Sequence, residues 1–149
     1  MKRKGSVAEC AGERGRDLMA AYDRCVAECR HISLPAVYAR VAASPAPRFY
    51  VSPSRAALVV SLVARGKDAL ARMHCGKREM FGEISRRVAL LRRGGDSRPL
   101  LALCADVVAQ PAPSFYLTAG SVKMIVCKLR KEWNRQKRER LLRLRSRSL

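Results

Sequence analysis

The sequence predicts an all-α protein made of two tandem three-helix units, an internal duplication, with a long basic C-terminal helix. Three observations lead to this fold class: a repeated eight-residue phrase, apolar residues at helical spacing, and a strongly basic C-terminal segment. Aromatic residues make up only 5% of the 149 residues, so Ala, Val and Leu must form most of the core. A core of small side chains is typical of closely packed helices.

The repeated phrase is "PAPRFYVS" at residues 45–52, which returns as "PAPSFYLT" at residues 111–118. The surrounding residues also match at the same shift of 66 positions, and the upstream helices match at a shift of 62. Four additional residues in "RRGGDSRP" account for the difference, as expected for an insertion in a turn. A duplicated unit of about 60 residues explains this better than chance does.

Each unit is predicted to run helix, helix, extended link, helix. In unit one the helices cover 16–30, 35–43 and 53–65, because their apolar residues recur at helical spacing. "SPAP" ends the second helix, because each proline disfavours helix in the residue before it. Ser52 then provides a capping hydroxyl before a proline at the first helical position, and the third helix stops near Gly66.

Unit two repeats this order. Its first two helices are predicted at 77–93 and 98–109, and its link at 110–117. Thr118 takes the place of Ser52 as the cap of the last helix, which continues as a long basic helix to about residue 143.

The predicted domain organisation follows from these units. It comprises a basic flexible N-terminal arm, repeat unit one, a linker, repeat unit two, and a basic helix extension with a tail: 1–15, 16–66, 67–76, 77–130 and 131–149.

Two interpretations of the PAPxFY phrase are open. In the first it is a joint, in which the prolines stiffen the link and Phe49 and Phe115 fill the gap between helices. In the second, Tyr50 and Tyr116 are exposed and stack on a base or on a partner peptide, because a tyrosine has a polar tip that favours water or a partner.

Net charge is the strongest functional signal in the composition. The chain has 31 Lys and Arg against 12 Asp and Glu, a net charge of +19. Such an excess attracts polyanions, and arginine pairs with phosphate in bidentate fashion. Codon bias would explain the preference for Arg over Lys, but it does not by itself explain the imbalance of charge.

The C-terminal segment carries most of the candidate nucleic-acid contacts. From Lys128 to Leu149 ten basic residues face two acidic ones, and Leu129 and Trp133 begin a partial apolar stripe. Such a helix can follow phosphates and release counterions, and it can also bind an acidic protein partner or an anionic membrane surface, or be merely solvated. The candidate contacts are Arg48, Arg55, Lys123, Lys128, Arg130, Lys131, Arg135, Lys137, Arg138, Arg140, Arg143, Arg145 and Arg147.

Arg48 is a candidate because the copies differ there: Arg48 and Arg55 of unit one face Ser114 and Ser121 of unit two, so an anion contact at the link is expected in unit one. Arg55 and Lys123 come from a further pattern. Each helix–link–helix segment has a loose similarity to a helix-turn-helix, in which the second helix presents its N-terminal residues to the major groove. The links of about nine residues are longer than the usual three or four.

Metal binding and catalysis are not expected, and no cofactor is predicted. Cys25, Cys29 and His31, or His74 with Cys75, lack the paired short knuckles of structural zinc sites. Acidic residues are scattered, and no phosphate-binding loop or hydrolase motif occurs.

No secretory signal and no run of about 18 apolar residues occurs in the sequence, so a reduced, cytoplasmic protein without a membrane span is expected. The tandem "PAPRFYVS" and "PAPSFYLT", each before a capped helix, resemble those of an uncharacterised family of small basic bacterial proteins. The resemblance covers residues 16–130 and implies no activity and no site residues.

The sequence therefore predicts a non-enzymatic protein that binds nucleic acid, with DNA favoured over RNA. The alternative is a structural or adaptor protein of a mobile element or phage that binds a protein partner through the PAPxFY surfaces. Oligomeric state does not follow from the sequence.

Overall fold

The computed structural model describes residues 10–30 and 33–148. Within these ranges the chain forms helices and no β-strand, so the predicted all-α class is confirmed. The helices are α1 (Ala11–Glu28), α2 (Leu34–Ala43), α3 (Pro53–Ala64), α4 (Cys75–Arg93), α5 (Leu100–Val108) and α6 (Ala119–Arg147).

The helix boundaries lie close to the predicted ones except at α1. That helix begins at Ala11, so the prediction of a flexible arm reaching residue 15 is wrong over 11–15, and residues 1–9 lie outside the described residues. Glu13 in the first turn favours an early start, because a carboxylate there is stabilised by the helix dipole. At the other end of the chain α6 continues to Arg147, beyond its predicted end at about residue 143.

Side-chain caps fix where α3 and α6 begin. The Ser52 hydroxyl accepts a hydrogen bond from the backbone N–H of Arg55 at 3.2 Å, and the Thr118 hydroxyl accepts one from Ser121 at 3.1 Å. Each cap satisfies one of the backbone donors that a helix start leaves without a partner. Both helices therefore start at the positions that the repeat predicts.

The six helices pack as two bundles of three. In the first bundle α1, α2 and α6 contact one another, and in the second bundle α3, α4 and α5 do so. Among the described residues no helix of one bundle packs on a helix of the other. The predicted domains 16–66 and 77–130 therefore do not correspond to packing units, because the third helix of each sequence unit lies in the bundle of the other.

The buried side chains of the two bundles are mainly aliphatic, and they belong to one hydrophobic cluster that also includes Phe49 and Phe115 of the connecting segments. In the first bundle Gly15 lets α6 approach α1 closely, since a Cβ at this position would lie 3.1 Å from a Leu129 methyl carbon. The fully or almost fully buried residues of the first bundle include Leu18, Val37, Val41, Val122 and Val126. Those of the second include Val59, Phe81, Ile84, Leu103 and Val107.

Candidate nucleic-acid interface

The two PAPxFY segments, which we call joint one (residues 44–52) and joint two (residues 109–118), connect the bundles and cross each other. Ala46 and Ala112 form an antiparallel bridge, each donating its N–H to the carbonyl of the other at 3.0 and 2.9 Å. The crossing explains the exchange of third helices, because each joint carries the chain from one bundle into the other.

Two further backbone hydrogen bonds extend this pairing. Phe49 donates its N–H to the carbonyl of Val108 at 3.0 Å, and Phe115 donates to the carbonyl of Ala42 at 3.3 Å. These two bonds are equivalent in the repeat, because Phe115 corresponds to Phe49 and Val108 corresponds to Ala42 at the shift of 66 positions. The contacts around the crossing are thus reciprocal.

The aromatic residues of the joints stack on one another. The Phe49 ring lies 6.0 Å from the Tyr116 ring, and Tyr50 lies 5.9 Å from Phe115, both nearly parallel. Phe49 and Phe115 are 1% and 4% exposed, which confirms their predicted burial. The interpretation in which the two tyrosines are exposed is not supported: both are half-buried, with one ring face against a phenylalanine.

Tyr50 is also held through its hydroxyl, which donates a hydrogen bond to Asp17 Oδ2 on α1 at 2.5 Å. Burial and this hydrogen bond raise the pKa of Tyr50, so the phenol stays protonated. Neither tyrosine therefore offers two free ring faces to a base.

Arg48, a candidate phosphate contact, is bound within the protein. Its Nη1 donates to Glu13 Oε2 on α1 at 3.0 Å, and its Nε donates to the carbonyl of Phe49 at 3.1 Å. The side chain is half-buried in this ion pair. Its role is to hold joint one on α1, and the geometry argues against a phosphate contact there.

Joint two has a different local conformation at the matching place. Tyr116 has φ of +53°, a left-handed value that side-chain-bearing residues rarely adopt. The Ser114 hydroxyl, which replaces Arg48 in the repeat, accepts a hydrogen bond from the Tyr116 N–H at 3.1 Å and supports this turn. Gly76 at the start of α4 leaves the space that the Tyr116 carbonyl occupies.

Arg87 on α4 contacts both joints. Its guanidinium lies 5.0 Å from the Phe49 ring centre, and its Nη1 donates to the carbonyl of Pro111 at 3.0 Å. Its Nε donates to Glu83 Oε1 at 2.9 Å. Hydrogen bonds from Arg86 first, and then from Arg87, lower the pKa of Glu83 to about 2. The sequence offered no sign of this role, because Arg87 lies in an ordinary charged stretch of a helix.

The similarity of the joints to a helix-turn-helix does not hold in three dimensions. The two helices of that motif pack on each other, whereas α2 and α3 lie in different bundles, as do α5 and α6. Arg55 is exposed near the start of α3 and Lys123 is exposed on α6, so these two candidates lie on helices of different bundles.

The other candidate contacts all lie on α6. Some of them lie beside the first bundle, and the rest lie beyond it. Arg130 remains at the bundle, where its guanidinium carbon is 5.9 Å from the Tyr22 ring centre and its Nη1 donates to the Tyr22 hydroxyl at 3.4 Å. Lys128 is exposed beside it. Every residue from Lys131 to Ser148 is exposed. We call residues 131–147 the basic arm.

Both acidic residues of the basic arm pair with one arginine. Arg135 donates to Glu132 Oε1 at 2.5 Å and to Glu139 Oε1 at 2.6 Å. The hydrogen bond from Arg135 lowers the pKa of Glu132, so this carboxylate stays ionised. Within the described residues the other cations of the arm form no ion pair; they are Lys131, Lys137, Arg138, Arg140, Arg143, Arg145 and Arg147.

An open groove of about 810 Å³ runs along the contact between α1 and α6 where the basic arm begins. Gly12 and Met19 line its α1 side, and Leu129 and Trp133 line its α6 side. Trp133 is 66% exposed. It was not among the candidate contacts predicted from the sequence, although its place in the apolar stripe after Leu129 was a sign of this position.

Two further structural findings bear on function. The described residues include no group of three or more His, Cys, Asp or Glu side chains placed to hold a metal ion, and His31 lies outside them. None of the described helices is both long enough and apolar enough to cross a membrane.

In comparisons with protein-family models, curated proteins and solved structures, no match to this chain was found.

Proposed function

We propose that the protein binds nucleic acid through its basic arm and that it acts by binding rather than by catalysis. The observation that carries this proposal is the exposure of the arm from Lys131 onwards, together with the pairing of its only two acids to one arginine. The cations that remain are not neutralised by the described part of the chain. They lie on a helical arm about 25 Å long, which can follow a phosphate backbone.

Two kinds of polyanion fit this arm, and the arm alone does not select between DNA and RNA. Contacts from Lys and Arg to phosphates release counterions, which gives affinity without sequence preference. Arginine predominates in the arm, and its planar guanidinium pairs with phosphate in bidentate fashion. We retain the prediction that DNA is the ligand, with RNA as the comparison in the test.

We also infer that the chain arose by duplication of a three-helix unit, and that the long basic C-terminal helix was added to one copy. The reciprocal contacts of the joints support this inference, since a backbone bond from Phe49 to Val108 has its counterpart from Phe115 to Ala42. The equivalent caps at Ser52 and Thr118 support it as well.

The alternative of an adaptor that binds a protein through the PAPxFY surfaces has less support. Its binding residues would be Tyr50 and Tyr116, and each covers one ring face with a phenylalanine of the opposite joint. An acidic protein partner on the basic arm remains an outcome that the experiment must separate.

The test is binding of labelled duplex DNA and duplex RNA of equal length, measured from 50 to 200 mM salt. We expect the affinity to fall steeply as salt rises. In a plot of log affinity against log salt concentration, each phosphate contact should contribute about −0.9 to the slope. Absence of binding to either duplex and to single strands at 50 mM salt contradicts the proposal.

The matched variants change the arm and leave the bundle intact. A chain that ends at Asn134 keeps the bundle contacts of Leu129 and Arg130. Its binding should lose most of the dependence on salt. Replacing the six cations from Lys137 to Arg147 by Gln should have the same effect, whereas changing the five arginines among them to Lys should preserve the slope. Equal slopes for the Gln and Lys variants would show that the arm is not the site.

A further inference from the structure

The side of α6 that packs in the first bundle continues beyond it along the basic arm. Residues spaced by four and three positions share one side of a helix. Starting at Trp133, this spacing selects Lys137, Arg140, Leu144 and Arg147. Towards the bundle the same side contains Val122, Val126 and Leu129. A ligand in the groove can therefore continue along this side of the arm without turning around the helix.

The groove beside Trp133 has little net charge. Two basic and two acidic side chains line it, and they are Arg16, Arg130, Asp23 and Glu132. A phosphate gains little from such a lining, whereas an uncharged flat group can occupy it. Gly12 has no side chain to fill the space, and an added Cβ there would meet no described atom within 4 Å.

Beyond the groove the charge is positive. Lys137, Arg140 and Arg147 lie on the same side as Trp133, and the two acids of the arm project from another side, where Arg135 pairs with them. From Trp133 to Arg147 the helix rises about 21 Å. One aromatic surface followed by a line of cations matches an unpaired base followed by its sugar–phosphate backbone.

We propose that the ligand of the basic arm is a single-stranded nucleic acid, one base of which enters the groove and stacks on Trp133 while its phosphates contact Lys137, Arg140 and Arg147. This inference rests on the proposed function and specifies its ligand. In a duplex the bases are paired and stacked, so their faces reach Trp133 only if a base is flipped out at a cost of a few kcal/mol.

Trp133 is the single tryptophan of the chain, so its fluorescence reports directly on the proposed contact. The experiment titrates the protein with a thymidine oligomer, an abasic oligomer of equal length, a duplex of equal charge and polyglutamate. We expect strong quenching by the thymidine oligomer alone. The other probes should bind more weakly and leave the fluorescence nearly unchanged.

Three variants test whether stacking contributes affinity. Trp133→Ala should weaken binding of the thymidine oligomer by about 5- to 150-fold and change binding of the abasic oligomer less than twofold. Trp133→Phe should keep most of the affinity, because it keeps a ring. Gly12→Leu should weaken binding of the thymidine oligomer but not of the other probes, since it narrows the groove without removing a charge.

The control is Met124→Ala, which removes another exposed apolar side chain of α6 from the opposite side of the helix. It should leave all four affinities unchanged. Circular dichroism checks that each variant is folded, as expected for changes at exposed positions.

The outcomes separate this inference from the function on which it rests. If the abasic oligomer and the duplex bind as tightly as the thymidine oligomer and Trp133→Ala has no effect, base stacking is overturned and nucleic-acid binding stands. If polyglutamate quenches as strongly as the thymidine oligomer, the ligand is an acidic protein and this inference fails. If no nucleic acid binds at 50 mM salt, both fail.

Discussion

Joint one and joint two make the same contacts where they cross, but different polar contacts hold each joint on the bundles. Around the crossing the contacts are reciprocal: each phenylalanine stacks on the tyrosine of the other joint, and each alanine bonds to the other alanine. Outside the crossing the symmetry ends. Joint one is bound to α1 by two side-chain contacts, from Arg48 and Tyr50.

Joint two lacks both of these contacts. Its backbone turns at Tyr116 with the help of Ser114, and Arg87 binds it through the carbonyl of Pro111. The comparison shows which parts of the repeat the fold requires in both copies. The aromatic pair and the bridge join two bundles and must be complementary, whereas each copy can use different polar contacts to hold its joint.

The largest expected effect comes from removing a phenylalanine from the crossing. Phe49→Ala should lower the free energy of unfolding by about 3–5 kcal/mol, because it leaves a cavity at a buried site. Phe115→Ala should cost about 1 kcal/mol less, since among the described residues a guanidinium lies over the ring of Phe49 and none lies over that of Phe115. Urea denaturation of both variants measures the difference, and a greater loss for Phe115→Ala would contradict this ranking.

Removing each tyrosine hydroxyl tests how the two joints differ in their polar contacts. Tyr50→Phe should cost about 1–2 kcal/mol, because it removes the hydrogen bond that the Tyr50 hydroxyl donates to the partly buried Asp17 carboxylate. Tyr116→Phe should change stability by less than about 0.5 kcal/mol, as its hydroxyl has no hydrogen-bond partner among the described residues. Equal costs for the two variants would mean that the Asp17 contact contributes nothing.

A dependence on pH, similar in size to the effect of Tyr50→Phe, belongs to α4 and joint two. The folded-state pKa of Glu83, about 2, lies below its ordinary value, so ionised Glu83 stabilises the protein above about pH 4.5. This stabilisation is lost as pH falls from there towards 2. Because the carboxylate retains some contact with water, the loss should be about 1–2 kcal/mol.

The comparison protein for this measurement is Glu83→Gln, which cannot titrate at this position. Its stability should decline less than that of the unchanged protein between pH 4.5 and 2. Parallel pH profiles of the two proteins would show that the pairing with Arg86 and Arg87 does not stabilise the fold.

Local chemistry made the helices and the buried parts of the joints predictable. A hydroxyl at Ser52 or Thr118 starts a helix because of contacts within a few residues, and two prolines end the helix before it. The burial of Phe49 and Phe115 followed from their apolar rings. These features depend on neighbours in the sequence, which the sequence displays directly.

The exchange of helices between bundles was not predictable in this way. It depends on the joints crossing at Ala46 and Ala112, a contact between residues 66 positions apart that no local pattern encodes. The same holds for Arg48 and Arg87. In the sequence Arg48 was a candidate phosphate contact and Arg87 an ordinary charged residue of a helix. The observed role of each depends on a joint brought close by the fold.

The crossed joints determine how the protein should respond to a proteolytic cut. The segment between α3 and α4 is mostly exposed and contains Arg65, Lys67 and Arg72, which trypsin recognises. A cut there leaves α1, α2 and α3 in one fragment, yet α3 is packed with α4 and α5 and α6 is packed with α1 and α2. Each fragment therefore lacks one helix of a bundle and holds one helix of the other. The two fragments should remain associated after the cut, because each bundle needs helices from both.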